Sequence, residues 1–449
     1  MTLQDKIKAK TITLDELLEK IPDGAFISGS ESRPLFYKLH TIADRLTKPV
    51  TVSVGMGTGA EPYPFFWDDQ YKDKFQLSSG FYGAPTRKTH PRGNVSLIPT
   101  HLHATNDRFL DEFPYDVLLL STTPVNRHGY VWSGLSAPCY RAIEEAGMVV
   151  AFVNPNVPVV FGETEIPIDC IDWLVEDDSP IGTFEPAPLS ETDKVIGQYV
   201  ASLVEDGSTI QLGIGGIPDA VAQAFMSKKD LGVHTEMVTS SMADLVEAGV
   251  VNGSKKTLHP RRLIGGFASG SKKLVEFMTE NPGAQLMPLS YVNDPWVVAR
   301  NYKMCSINTC IEVDLTGQVA SESIGPMQFS GTGGQNDTAE GAIHCPGGKS
   351  IIAFASAITK KDGTRISKIK SVLTPGSIVT LSRNNIDYLV TEYGIAPMKA
   401  RPIRQRVDNL IAIAHPDFRE QLRAEANKLM LWYAAPHPCD APLRPGPPS

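Results

Sequence analysis

One pattern of segments occurs twice in this chain of 449 residues, once near its start and once near its middle. Residues 17–30 suggest an amphipathic helix, an Asp-Gly turn, a strand and a small-residue turn, and residues 201–213 repeat that order. A proline follows each turn (Pro34 and Pro218), where it suits the first turn of a helix. The repeat, in halves of similar length, predicts two similar α/β domains packed together, with a cleft between them as the expected site.

Apolar runs of strand length alternate with helical patterns along the chain. Residues 116–121 predict a buried strand, residues 140–146 a helix, and residues 148–153 the next strand. This order predicts open, mainly parallel sheets with helices on both faces. Few large apolar residues and three prolines predict a linker from Glu176 to Glu191. We therefore predict an N-terminal α/β domain at residues 1–185, a C-terminal α/β domain at residues 186–436 and a disordered tail at residues 437–449.

Composition excludes several classes of function. The net charge is -8, and no basic run is interleaved with aromatic residues, so nucleic acid is not an expected partner. No apolar stretch approaches the roughly 20 residues that a membrane helix needs. The N-terminus lacks the apolar core of a signal peptide. The six cysteines form no C-x-x-C pair, which fits reduced thiols and a cytoplasmic location.

The run Val233–Val238 holds one carboxylate, Glu236, in a mostly apolar setting. Glycine-rich segments lie on both sides of it in sequence, at residues 211–218 and 330–337. Burial would raise the pKa of Glu236, and glycine amides could stabilise oxyanions beside it, which predicts a nucleophile that attacks an acyl carbon. The alternative is an exposed glutamate on an edge strand.

The two glycine-rich segments each allow two interpretations. Residues 213–218 lack the third glycine of a dinucleotide fingerprint because Pro218 stands there. The amides of this turn and of the following helix would still serve an anion, and the alternative is a strand-to-helix turn without a ligand. So many glycines at residues 331–334 indicate close backbone approach, and the alternative is a hairpin turn.

Three other motifs are incomplete or absent, so the sequence does not predict the sites that they would form. Residues 347–350 imitate the end of a P-loop, but Ile343 replaces the required glycine, and residues 351–355 predict a strand where a helix is needed. His101 and His103 have no acidic or cysteine ligand at suitable spacing, so no metal site is expected there. The G-x-S-x-G elbow of serine hydrolases is absent from the sequence.

Several segments together resemble the family I CoA-transferases, in the branch of 4-hydroxybutyrate and butyryl-CoA:acetate CoA-transferases and acetyl-CoA hydrolases. The resemblance covers roughly residues 15–430 and is strongest at residues 232–237, 244–249, 313–318, 331–335, 391–394 and 412–419. It implies two related open α/β domains with the active site at their interface, and Glu236 as the nucleophile of a ping-pong reaction through a glutamyl-CoA thioester. It also implies oxyanion and coenzyme A contacts from the backbone of Gly215, Gly216, Ile217, Gly331, Gly333 and Gly334.

The chain departs from the family pattern near the expected acyl pocket. After Asp337, Thr338 replaces the usual aromatic residue, and Glu340 occupies a position that is usually basic. The turn at residues 28–34 is also more polar than usual. We predict that four residues line the substrate pocket: Ser30, Arg33, Glu61 and Gln335. Among them, Arg33 would pair with the second carboxylate of an acid such as succinate or itaconate.

The resemblance thus implies a cytoplasmic homodimer that moves coenzyme A between short-chain carboxylic acids of the 4-hydroxybutyrate, butyrate and acetate type, or a small dicarboxylate. Acyl-CoA and small carboxylates are the expected partners, with no permanently bound cofactor and no metal. Two alternatives stay open: a short-chain acyl-CoA hydrolase that uses the same glutamate, and a catalytically silent CoA-binding protein.

Overall fold

The computed structural model describes residues 2–431, except for the side chains of Asn106 and Asp107. The predicted tail at residues 437–449 lies outside the described residues. The helices of the first half are α1 (Leu3–Lys10), α2 (Leu14–Lys20), α3 (Arg33–Lys38), α4 (Pro64–Trp67), α5 (Ala84–Thr89), α6 (Thr105–Glu112) and α7 (Tyr140–Glu145). Its strands are β1 (Phe26–Gly29), β2 (Val50–Ser53), β3 (Phe75–Ser79), β4 (Val95–Leu97), β5 (Val117–Thr122), β6 (Tyr130–Trp132), β7 (Val149–Val153), β8 (Phe161–Gly162), β9 (Glu165–Pro167) and β10 (Trp173–Glu176).

The second half begins with helix α8. Its helices are α8 (Glu191–Leu203), α9 (Gly216–Ala224), α10 (Ser240–Glu247), α11 (Lys272–Met278), α12 (Leu289–Val292), α13 (Pro295–Val298), α14 (Gln335–His344), α15 (Ile403–Ile413) and α16 (Pro416–Lys428). Its strands are β11 (Thr209–Leu212), β12 (Gly232–Val238), β13 (Leu263–Ala268), β14 (Ala284–Leu286), β15 (Met304–Asn308), β16 (Glu312–Asp314), β17 (Val319–Ala320), β18 (Ser323–Ile324), β19 (Met327–Gln328), β20 (Lys349–Ala353), β21 (Ala357–Thr359), β22 (Arg365–Ser367), β23 (Ile369–Lys370), β24 (Tyr388–Thr391) and β25 (Gly394–Pro397). Short 3₁₀ helices occur at Leu39–Arg45, Asp69–Tyr71, His90–Arg92, Leu102–Ala104, Ile168–Cys170 and Phe225–Ser227.

The two large sheets share one topology. The first has the order β10-β7-β5-β1-β2-β3-β4, and all of its pairs are parallel. The second has the order β25-β24-β20-β15-β11-β12-β13-β14-β8, and only the β24–β25 pair is antiparallel. In each half the first strand is central, three strands follow on one side, and the chain then crosses to the other side. This confirms the prediction of two similar open α/β domains with mainly parallel sheets.

The repeated sequence pattern corresponds to the same local structure in both halves. Helix α2 leads through a turn to β1 and α3, and α8 leads through a turn to β11 and α9. Both turns need a glycine with positive φ, which is +70° at Gly24 and +77° at Gly207. Pro218 lies in the first turn of α9, as predicted.

The central strands form because their residues are apolar on both faces. In β5, Val117 to Leu120 are all buried, as helices on both sides of a parallel sheet require. Each such side chain contributes about 1.5–3 kcal/mol on full burial. The predicted strands at residues 116–121 and 148–153 are β5 and β7, and the predicted helix between them is α7.

Three features connect the halves. Residues 177–190 contain no helix or strand and run between β10 and α8, and the domain boundary placed there stays a prediction. Strand β8 of the first half pairs in parallel with β14 at the edge of the second sheet. Ser136 also forms an antiparallel bridge to Phe267 of β13. The first half therefore contributes backbone to the second sheet, close to the strand that carries Glu236.

Candidate active site

Glu236 lies on an interior strand of the second sheet. Strand β12 pairs with β11 on one side and β13 on the other, and every residue of β12 except Glu236 is buried. Glu236 itself is half-buried. The alternative of an exposed glutamate on an edge strand is therefore wrong. Thr209 pairs with Gly232 and Ile210 with Val233, so the strand that leads into the first glycine-rich turn lies next to the strand that carries Glu236.

The second glycine-rich segment meets the carboxylate of Glu236. Gly334 caps the N-terminus of α14, a helix of 10 residues. A Cβ placed on Gly334 would lie 2.1 Å from Oε2 of Glu236, so any larger residue would have to displace that carboxylate. Residues 331–334 lead into this helix, so the hairpin alternative is wrong; the hairpin of β18 and β19 precedes them. The carboxylate thus faces the backbone amides of a helix N-terminus and the positive end of the helix dipole.

Asn293 is a residue of the site that the sequence did not reveal. Its Nδ2 atom lies 3.4 Å from Oε2 of Glu236, a long hydrogen bond, and its side chain is fully buried. His234 holds the backbone next to Asn293, because Nε2 of His234 lies 2.8 Å from the carbonyl oxygen of Val292. No sequence signal points to Asn293, because it follows a short helix and belongs to no recognisable motif.

The environment of Glu236 favours its neutral form. Burial raises the pKa of Glu236 to about 7, and the negative charge of Asp337 acts in the same direction. The hydrogen bonds from Asn293 and from the backbone of Gly334 act against this rise. Burial also lowers the pKa of His234 to about 3, so this histidine is neutral at physiological pH. A carboxylate with a pKa near neutrality and polarised hydrogen-bond donors around it is suited to nucleophilic chemistry.

The first glycine-rich turn lies at the same edge of the sheet. Gly215 has φ of +109° and caps α9, while Gly216 and Ile217 are the first two residues of that helix. Gly215 is exposed, and no heavy atom lies within 4 Å of a Cβ placed there, so its surroundings are open to a ligand. The role of these three residues as amide donors stays a prediction.

A buried polar network joins the two turns. Oγ of Ser306 lies 3.0 Å from Oε1 of Gln211 and 2.9 Å from Oγ1 of Thr338. Oγ1 of Thr338 also donates to the carbonyl oxygen of Gly334, at 3.0 Å. Nδ2 of Asn308 donates to Oγ of Ser306 at 3.0 Å. Thr338, which replaces the usual aromatic residue, therefore holds the capping glycine against strands β11 and β15.

The first half supports the second glycine-rich segment. A Cβ placed on Gly331 would lie 2.1 Å from the carbonyl oxygen of Gly80, and one on Gly333 would lie 3.2 Å from the Phe81 ring. The Arg87 guanidinium lies 4.2 Å from the ring centroid of Phe329 and donates to the Phe329 carbonyl oxygen at 2.6 Å. The second glycine-rich segment, which reaches Glu236, therefore packs between the two domains, as a site at their interface requires.

Asp337 forms a second contact between the halves. Its side chain is buried, and Oδ2 accepts a hydrogen bond from the His103 backbone N–H at 3.0 Å. Nδ1 of His103 lies 3.0 Å from Oδ1, and Nδ1 of His101 lies 3.5 Å from the same oxygen. The two histidines thus hold Asp337 from the first domain. Among the side chains that the structure describes, no group of three or more His, Cys, Asp and Glu residues is arranged to hold a metal ion.

The predicted pocket residues do not all lie together. Ser30 lines a cleft of about 310 Å³ with residues of both domains, among them Ser121, Phe267 and Ser269. Arg33 and Glu61 form an ion pair of 3.0 Å away from the lining of this cleft.

Gln335 is held from within the second domain. Its Nε2 atom donates to the Thr309 carbonyl oxygen at 2.6 Å, and its Oε1 is buried without a hydrogen-bond partner. The substrate contacts of Ser30, Arg33, Glu61 and Gln335 stay predictions.

None of the helices in the described part of the chain has the length and apolar character to cross a membrane.

Comparison with known proteins identifies the family. Two family models match the chain, the acetyl-CoA hydrolase/transferase N-terminal domain over residues 2–186 and the C-terminal domain over residues 270–426. A 4-hydroxybutyrate coenzyme A transferase of Clostridium kluyveri is 43% identical over 356 residues, which are 79% of this chain and 82% of that protein. A probable butyrate:acetyl-CoA coenzyme A-transferase of Syntrophomonas wolfei is 35% identical over 440 residues, which are 96% of this chain and 98% of that protein.

A solved structure agrees with this result. RipA from Yersinia pestis superposes with a TM-score of 0.88 at 29% identity, and the superposition covers 96% of this chain and 100% of that chain. Glu236 lies between the two segments that the family models match. Both domain models match in order, and the relatives span most of the sequence. The chain therefore belongs to the acetyl-CoA hydrolase/transferase family.

Proposed function

We propose that this protein is an acyl-CoA:carboxylate CoA-transferase in which Glu236 is the nucleophile. One observation carries the proposal: the Glu236 carboxylate meets the N-terminus of α14 at Gly334, in the interface between the domains. Amides and a helix dipole at that position stabilise negative charge on oxygen, as acyl transfer requires. The sequence relatives carry transferase names, which supports the same reaction.

The first half-reaction moves coenzyme A onto the protein. A Glu236 carboxylate oxygen attacks the thioester carbonyl carbon of an acyl-CoA, and the C–S bond breaks. The CoA thiolate departs, and an acyl-glutamyl anhydride remains on the protein. The thiolate then attacks the glutamyl carbonyl carbon, and the anhydride C–O bond breaks. The first carboxylic acid departs as its carboxylate, and a glutamyl-CoA thioester remains. No net proton is taken up or released in this sequence.

The second half-reaction reverses these steps with a new acid. The acceptor carboxylate attacks the glutamyl thioester, releases the thiolate and forms a new anhydride. The thiolate attacks the acyl carbon of that anhydride, so a new acyl-CoA leaves and the Glu236 carboxylate is restored. Each tetrahedral intermediate carries an oxyanion beside residue 236. Gly334 and Asn293 are the donors nearest to that position, and Gly215 to Ile217 are further candidates.

We propose short-chain carboxylic acids as the substrates, of the 4-hydroxybutyrate, butyrate and acetate type or a small dicarboxylate such as succinate, and coenzyme A enters only as part of a substrate. The names of the relatives support acids of the 4-hydroxybutyrate and butyrate type. Arg33, the predicted partner for a second carboxylate, is already paired with Glu61. A cytoplasmic location and a homodimer belong to the proposal as expectations from the family resemblance.

The experiment must distinguish transfer from hydrolysis, because the family description includes both. The protein is incubated with butyryl-CoA and acetate, and acetyl-CoA and free CoA are measured together. We expect acetyl-CoA to form in step with the loss of butyryl-CoA, with little free CoA. Release of free CoA at a rate independent of acetate would instead establish a hydrolase.

A further inference from the structure

We propose that Asp337 and His103 are positioning residues that make the reactivity of Glu236 depend on the contact between the two domains. The inference rests on the proposed function of Glu236 as the nucleophile and adds two residues to it. Asp337 lies in the first turn of α14, three residues after Gly334, and His103 lies in the 3₁₀ helix Leu102–Ala104 of the other domain.

The contact is built from both backbone and side chain. The two oxygens of Asp337 each have a partner on His103, the backbone N–H for Oδ2 and Nδ1 for Oδ1, both at 3.0 Å. Asp337 is fully buried and cannot exchange these partners for bulk water. Breaking one of the two would leave a buried charge partly unsatisfied, which is costly. The pair therefore fixes the first turn of α14 relative to the first domain.

The same turn of α14 delivers the contact to Glu236. Gly334 caps the helix, and its backbone approaches Oε2 of Glu236 so closely that a side chain there would collide with it. Thr338, one residue after Asp337, anchors the other face of this turn to Gly334 and Ser306. A shift of Asp337 would thus move the capping backbone away from the nucleophile.

Charge gives the pair a second effect. Asp337 carries a negative charge close enough to Glu236 to oppose its ionisation, and a protonated His103 offsets that charge. The other charged or titratable groups that face the pair are His101, Asp294 and Arg108. His101 lies 3.5 Å from Asp337, Asp294 favours the protonated form of His103, and Arg108 opposes it.

This arrangement predicts opposite effects for two substitutions. In Asp337→Asn the like charge beside Glu236 is gone, so the acid limb of the pH profile moves to lower pH. In His103→Gln the hydrogen bond can persist but the compensating charge is lost, so the acid limb moves to higher pH. Each shift should be up to about one pH unit, the lower range for a neighbouring charge.

The test is the pH dependence of kcat/KM for butyryl-CoA with acetate as acceptor, measured for wild type, both single variants and Asp337→Asn with His103→Gln. We expect the double variant to follow Asp337→Asn, because His103 has no charge left to offset. His128→Gln, in an exposed turn of the first domain, serves as the matched control and should leave the profile unchanged.

A purely structural contact would give a different result. It would lower kcat/KM by the same factor at every pH, and acid limbs that coincide with wild type would overturn the proposal. If Asp337→Asn fails to fold, the direction of the shift in His103→Gln alone decides. The CoA-sized adduct on each variant is also measured at pH 8. Its absence from wild type would contradict the function of Glu236 itself, whereas its presence with unshifted profiles would contradict only the role of Asp337 and His103.

Discussion

Glu236 and Gly334 are in direct contact across the second domain: a Cβ on residue 334 would lie 2.1 Å from Oε2 of Glu236 and 2.1 Å from Nδ2 of Asn293. The contact joins the carboxyl-terminal part of an interior strand to the N-terminus of a helix about a hundred residues later in the chain. Glu236 and its nearest donors therefore form one unit, and a side chain at position 334 would have to displace one of them.

Replacing Gly334 should disable the site without removing any catalytic group. In Gly334→Ala, the new methyl group must displace the Glu236 carboxylate or the Asn293 amide. Loss of one oxyanion donor lowers kcat by about 10²–10³-fold in other enzymes, and we expect a loss of that order. Steady-state transfer between butyryl-CoA and acetate measures it.

A glycine away from the site provides the control. Gly182 lies in the segment between the domains, and a Cβ placed there has no heavy atom within 4 Å. Gly182→Ala should keep wild-type kcat. If Gly334→Ala were as active as Gly182→Ala, the close approach of α14 to Glu236 would have no part in the reaction.

The pH dependence of the reaction should report the raised pKa of Glu236. Burial raises that pKa to about 7, and only the carboxylate can attack the thioester. We expect kcat/KM to rise about tenfold per pH unit on the acid side and to level off above pH 7. A profile that is flat from pH 5 to pH 8 would mean that Glu236 ionises far below this range in the free protein.

The same pKa shift predicts an effect on stability. A pKa that is higher in the folded protein than in the unfolded chain means that ionisation of Glu236 opposes folding. The cost is absent below about pH 4.5, grows as pH rises, and is complete above about pH 7. At 1.36 kcal/mol per pKa unit it reaches about 3 kcal/mol at most, since Glu236 is half-buried.

Glu236→Gln removes this cost and keeps the shape of the side chain. We expect a higher free energy of unfolding than wild type at pH 8, and equal values near pH 4.5, in denaturant titrations at both pH values. A variant that is less stable than wild type at pH 8 would show that hydrogen bonds to the carboxylate outweigh its desolvation.

Thr338 should matter through its hydroxyl group. Thr338→Val keeps the shape but removes the group that bonds to Ser306 and to the Gly334 carbonyl oxygen. A buried partner left unsatisfied costs about 1–3 kcal/mol, so the free energy of unfolding should fall by that amount. The transfer rate should fall too, because the capping glycine loses its anchor. Thr359→Val, at an exposed position of β21, is the matched control for a loss of threonine hydroxyl.

Much of the fold could be predicted from the sequence because its signals are local. The apolar run at residues 116–121 requires burial on both faces, and the glycines at positions 24 and 207 mark the same turn in each half. These features predicted two similar domains, and the matching strand order of the two sheets confirmed it. The repeat also predicted a cleft between the two domains as the site, and the family resemblance implied the same location.

The residues of the site that the sequence did not predict are brought there by contacts between distant segments. Asn293 reaches Glu236 from a loop after α12, and His103 reaches Asp337 over 234 residues of sequence. Neither Asn293 nor His103 lies in a motif with characteristic spacing, so the sequence alone points to neither. The ion pair of Arg33 and Glu61 is likewise not predictable from the sequence, because 28 residues separate the two and no motif joins them.

The most direct test of the account is the mass of the intact protein after incubation with acyl-CoA in the absence of an acceptor acid. We predict a covalent adduct of the size of coenzyme A on the wild-type protein, located at residue 236 by peptide mapping. The adduct should disappear on addition of acetate and should be absent from Glu236→Gln. An adduct on another residue, or full transfer activity in Glu236→Gln, would contradict the assignment of Glu236 as the nucleophile.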